Sequence, residues 1–96
     1  MTQQQDAALV LATSLDRLAA APLCRTLQER LLAGEPLTLD GSGVERVSTA
    51  AIQVLVAASR SAASHDIAFR LDGASGALTE ALADLGLAGT LPGTER

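Results

Sequence analysis

Ninety-six residues, 48% of them hydrophobic but with Phe69 the sole aromatic, suffice for one small domain with a core of Leu, Val, Ile and much Ala. A formal charge of −4, no Lys and seven scattered arginines exclude a phosphate-backbone binder, and stacking platforms for single-stranded nucleic acid are missing. Cys24 is alone, which excludes an internal disulfide and suits a reducing compartment.

Residues 1–6 read as a polar tail, residues 7–91 as the single domain, and residues 92–96 as a second tail. The opening MTQQQD has neither the basic nor the apolar region of a secretory signal. The apolar stretch Ile52–Ala58 is interrupted by Gln53 and too short to cross a bilayer. The expectation is a cytoplasmic protein without direct membrane insertion.

Ala7–Ala12 is a short apolar run that predicts a buried strand. Asp16–Ala33 has helical spacing, with Leu15, Leu18, Leu23, Leu27, Leu31 and Leu32 near one face. Pro22 interrupts it, so either the helix proper starts near Ala21 or a short turn precedes it. Gly34 and Pro36 end the run. Leu37–Leu39 predicts the second strand, closed by Asp40 and the Gly41-Ser42-Gly43 loop. Thr49–Ser64 predicts a helix, Ile67–Leu71 the third strand, and Ala77–Leu85 a last helix capped by Ser75 and stopped by Gly86. Leu87 and Leu91 are expected to fold back onto the core.

The order β-α-β-α-β-α predicts an α/β fold with a mostly parallel sheet and helices packed mainly on one face. The other sheet face then needs a cover, and a homodimer is one candidate.

Catalytic sets are missing: no nucleophile elbow, no phosphate loop, no dinucleotide fingerprint and no Cys/His cluster. His65, the only histidine, reads as a solvated residue in a helix-ending turn. The chain is read as non-enzymatic, with no metal and no cofactor. Asp40 ends a strand, where ligands gather in parallel sheets, yet a carboxylate there also accepts bonds from the turn that follows.

Ser48 and Thr49 carry the strongest signal. A hydroxyl at a helix start can cap unpaired amides, and the same amides and helix dipole favour a phosphate. On the helix behind them, Ile52, Leu55, Val56 and Ser59 read as the inward stripe. Ala50, Ala51, Val54, Ala57 and Ala58 spread small or apolar surface over the other faces. A helix apolar nearly all round is either enclosed in a core or covered by a partner.

These segments resemble the STAS domain family, named for sulfate transporters and anti-sigma-factor antagonists, over roughly Ala8 to Leu91. The match lies in Leu39-Asp40, Gly43-Val44, Ser48-Thr49-Ala50-Ala51-Ile52, and the closing run from Ser75-Gly76-Ala77-Leu78 through Ala81-Leu82 to Leu85-Gly86-Leu87. The family's phosphorylatable residue falls on Thr49, with Ser48 the lesser candidate. The resemblance implies a kinase related to histidine kinases, bound by the unphosphorylated domain. Ser48 replaces the usual acidic residue, and Ala51-Ile52 the usual Gly-Leu.

The function so implied is regulated protein binding in bacterial signal transduction. The partner is a serine/threonine kinase-type anti-sigma factor, an ABC ATPase of a lipid-transport complex, or a chemotaxis or two-component signalling protein. The expected contact residues are Asp40, Ser42, Gly43, Glu45, Arg46, Ser48, Thr49, Ala50, Gln53, Val54 and Ala57.

Overall fold

The computed structural model describes residues 9–93. The expected tail 1–6, and Ala7 and Ala8 of the first predicted strand, lie outside the described residues. Eight elements follow in order: β1 (Leu9–Val10), β2 (Ser14–Leu15), α1 (Arg17–Leu32), β3 (Leu37–Asp40), β4 (Arg46–Val47), α2 (Thr49–Ser64), β5 (Phe69–Asp72) and α3 (Gly76–Asp84). The fold is α/β, and every strand pairing among the described residues is parallel.

β1, β3 and β5 lie side by side, with Leu9 opposite Leu39 and Leu37 opposite Phe69. Parallel neighbours need a long crossover, and here α1 and α2 supply the two. Side chains alternate across a sheet. Leu37, Leu39, Phe69 and Leu71 therefore share one face, and all four are buried. The opposite face carries Val10, Thr38, Asp40, Arg70 and Asp72. The Arg70 guanidinium donates to Asp72 Oδ1 from Nη2 at 2.8 Å and from Nε at 2.9 Å, an exposed pair. That face is polar apart from Val10, so water can cover it.

Each helix begins with a capping side chain: Asp16 accepts from Ala19 N at 3.0 Å, Ser48 from Ala51 N at 3.1 Å, and Ser75 from Leu78 N at 3.2 Å. α1 and α3 end at Gly34 and Gly86, both at positive φ as their stop role requires.

Three sequence expectations for α1 change. The helix runs unbroken through Pro22 instead of starting beside it. The Asp16 cap and the buried Ala20, Leu23 and Leu27 hold it on both sides of the missing N–H. Leu15 belongs to β2 and is buried, whereas Leu18 and Leu32 are 83% and 89% exposed. The stripe that faces the core is narrower than the leucine spacing implied.

The inward stripe of α2 also moves. Ala51, Ile52, Leu55, Ala58 and Ala62 are the buried residues, while Val56 and Ser59 are half-buried. Alanine is what lets this helix lie close to its neighbours, so Ala51 and Ala58 belong to the core and not to a free surface.

Leu87 is half-buried and Leu91 fully buried, as expected of residues folding back. The chain then stays on the sheet: Leu71 N donates to the Pro92 carbonyl at 2.8 Å, beside the outer edge of β5. Gly93 follows at φ 97°, and a Cβ there would stand 2.5 Å from Leu71 O.

Candidate functional site: the head of α2 and the trough beside it

The loop from β3 to α2 is held by backbone bonds that no hydropathy pattern reveals. Glu45 N and Arg46 N both donate to Thr13 O, at 2.7 and 3.1 Å, and Ser48 N donates to Leu15 O at 2.8 Å. Ser14 and Leu15 thereby pair with Arg46 and Val47. This two-stranded clip sets the starts of α1 and α2 side by side, at Asp16 and Ser48. Val44, 1% exposed, anchors the same loop to the core.

Upstream, Asp40 closes a tight turn. Its Oδ1 accepts from Ser42 N at 2.9 Å and from Ser42 Oγ at 2.7 Å. The Ser42 amide, then its hydroxyl, hold the Asp40 carboxyl below its usual value of 3.8. A depressed carboxylate pKa contributes stability above the unfolded value and loses it as pH falls through the folded one. The turn is therefore fully formed at neutral pH and loosens only in acid. Asp40 here serves its own loop.

At the head of α2 the two hydroxyls divide the work. Ser48 is the N-cap and half-buried; its side chain is spent on Ala51 N. Thr49 is the first helical residue and exposed, and its hydroxyl makes no hydrogen bond among the described residues. The capping role open to Thr49 in the sequence thus falls to Ser48. Asp and Ser are near-equal caps, so Ser48 keeps the geometry an acidic residue would give while removing one negative charge. Ser48→Ala should cost about 1 kcal/mol in urea unfolding, and Ser48→Asp should stay near wild type. Equal losses would remove the cap from the account.

Below Thr49, α2 and α1 leave an open trough of about 530 Å³ between their outer sides. From α2 it is lined by Ala50, Gln53, Val54, Ala57, the nearly buried Ala58 and Ser61, four of them expected contact residues. From α1 come Ala20, Ala21, Cys24, Leu27, Gln28 and Leu31, which the sequence reading missed. Their spacing of three and four residues was visible; that it faces α2 was not. Asp40, Ser42, Gly43, Glu45, Arg46, Ser48 and Thr49 do not line the trough. Gln53 and Ala57 are exposed, and Ala50 and Val54 are half-buried.

Among the described residues, no group of three or more His, Cys, Asp and Glu could hold a metal, and no helix is long and apolar enough to cross a membrane. His65 ends α2, its Nδ1 2.9 Å from Ser61 O.

The family model described as "Mlab, STAS domain" matches residues 1–93. No curated protein and no solved structure matches the chain. Domains of this family are generally non-enzymatic modules that bind and regulate proteins. With nearly its whole length matched, and with parallel strands joined by α1 and α2 and capped hydroxyl-bearing helix starts, the chain belongs to the STAS domain family.

Proposed function

We propose that this STAS domain docks a protein partner through the head of α2 and the surface beside it, and that a phosphate on Thr49 releases that partner. One observation supports the reading above all: Ser48 satisfies the helix start, which leaves the Thr49 hydroxyl exposed and uncommitted. A threonine needed as a cap could not be modified without loss of the cap. Here modification costs the fold little.

The phosphate brings about −1.5 to −2 charges to a helix N-terminus, where unpaired N–H groups and the dipole favour an anion. The free domain accommodates it. A partner seated over the same residues meets a strongly hydrated dianion and loses contact. The partner classes under this reading are a kinase-type anti-sigma factor, a transport ATPase or a signalling protein of a chemotaxis or two-component system.

The test pairs two measurements. The partner is taken from the native complex, and its affinity is compared for the wild type, Thr49→Ala and Thr49→Glu. Thr49→Glu should bind at least about tenfold more weakly, a change of about 1.4 kcal/mol, with its melting temperature almost unchanged. Intact-mass analysis of protein from native cells should find a singly phosphorylated species. Equal binding by both variants, with no such species, would leave a constitutive subunit in place of a switch.

A further inference from the structure

We infer that Arg17, the first residue of α1, receives the phosphate of a modified Thr49 and holds it between the two helix starts, an inference that rests on the switch reading above. The clip sets the geometry. Ser14 pairs with Arg46 and Leu15 with Val47, and Ser48 N donates to Leu15 O at 2.8 Å. The next residue on each side keeps extended backbone, Asp16 at φ −81° and ψ −175°, Ser48 at φ −90° and ψ 160°. The parallel register therefore runs on for one more pair, Asp16 beside Ser48. The first helical residues, Arg17 and Thr49, then leave from matching positions, and the two helices pack on each other. Neighbouring strands lie about 4.8 Å apart and packed helices about 8–10 Å. Either spacing is within the joint span of an arginine and a phosphothreonine.

Two further observations set Arg17 apart. A cation in the first turn of a helix opposes the dipole, so helix stability does not select it there. Arg17 is also exposed, and among the described residues neither a hydrogen bond nor an ion pair engages its guanidinium. An anion between the two starts satisfies it, and the guanidinium fork fits phosphate oxygens two at a time. The other charges at this end are Asp16, Glu45 and Arg46. The Asp16 carboxylate is committed to Ala19 N at 3.0 Å. Glu45 and Arg46 are adjacent, exposed and opposite in sign. Ser48 adds no charge, whereas an acidic residue in its place would compete for the same guanidinium. Arg17 lies one turn before Ala20 and Ala21 of the trough wall, and Thr49 directly before Ala50 of the other. A phosphate held by Arg17 therefore stands fixed at the head of the trough, in the path of a docked partner.

Site-specific incorporation of phosphothreonine at position 49 of the full chain, followed by a phosphorus NMR titration at about 0.1 M salt, tests this. A guanidinium beside the phosphate favours the dianion and lowers its second pKa below the ordinary value of about 6. Arg17→Gln should raise that pKa by at least about 0.5, roughly a threefold change in proton affinity, and Arg17→Lys should recover part of the loss. Arg60→Gln removes the same charge about 16 Å further along α2, beyond the Debye length of about 10 Å, and should leave the titration almost unmoved. Arg17 and Arg60 are both exposed, so the variants should fold. An unchanged pKa in Arg17→Gln, or equal shifts in Arg17→Gln and Arg60→Gln, would overturn the inference. The phosphate is installed and no partner is present, so the outcome is independent of the switch. If Arg17→Gln leaves the titration unmoved while Thr49→Glu loses the native partner, the switch stands without the clasp. If the titration moves as expected while native cells hold no phosphorylated chain, the clasp stands and the switch falls.

Discussion

Ile52→Ala should lower the stability of the domain by about 2–5 kcal/mol, read as a lower urea midpoint at unchanged slope. Ile52 is fully buried on the first turn of α2, directly beneath the exposed Thr49 and Gln53. The buried cluster around it is mostly leucine, eleven of them, with Val44, one aromatic side chain and three alanines, so each large aliphatic group is enclosed by others. A domain of this size has roughly 5–15 kcal/mol in total, and one truncation removes a large share. Gln53→Ala, one residue on, should stay within about 0.5 kcal/mol of wild type. If both variants lost the same amount, the orientation of α2 described above, and with it the exposed edge of the trough, would be wrong.

Gly41→Val should cost about 1–3 kcal/mol or more, whereas Gly43→Val should be nearly neutral. The two glycines flank Ser42 in one short loop, yet their surroundings differ. A Cβ on Gly41 would lie 2.9 Å from Leu78 Cδ2 and 3.2 Å from Leu71 Cδ1, both on buried side chains. The Gly41 backbone is also engaged, donating to Asp72 O at 3.0 Å and accepting from Ser75 N at 3.1 Å. A Cβ on Gly43 would meet nothing within 4 Å. Gly41 is required because the loop passes against the start of α3; positive φ plays no part. Thermal melts of the pair separate a packing demand from a loop that merely tolerates glycine.

Much of this architecture was legible because it depends on local chemistry. The α2 bounds, the Ser75 cap and the stops at Gly34 and Gly86 follow from residues whose backbone preferences act within one turn. The strands read at Leu37–Leu39 and Ile67–Leu71, which the structure places at Leu37–Asp40 and Phe69–Asp72, alternate because only one sheet face is buried. What stayed hidden was set by distant partners. Ser14–Leu15 and Arg46–Val47 are two-residue strands, too short for any period, and they exist only because each finds the other. Leu18 and Leu32 fit the leucine spacing of α1, but among the described residues nothing packs over them closely enough to bury them. For the site, the hydroxyls at 48 and 49 were visible and their division of labour was not, since capping depends on which of them keeps extended backbone. The α1 wall of the trough was missed for the same reason as the clip: it is defined by what stands opposite.

The hydrogen bond to Pro92 bears on what the outer edge of β5 offers to other chains. A parallel sheet with a bare edge invites other chains to add strands, and a domain with so small a core would lose a contest with aggregation readily. At β5 the vacant edge is occupied by Pro92, which takes up the Leu71 amide yet has no N–H of its own to offer onward. Gly93 then turns against Leu71 in a space that admits no side chain. At Leu71 the ladder thus meets a residue that cannot propagate it, which leaves this stretch of edge less open to an added strand.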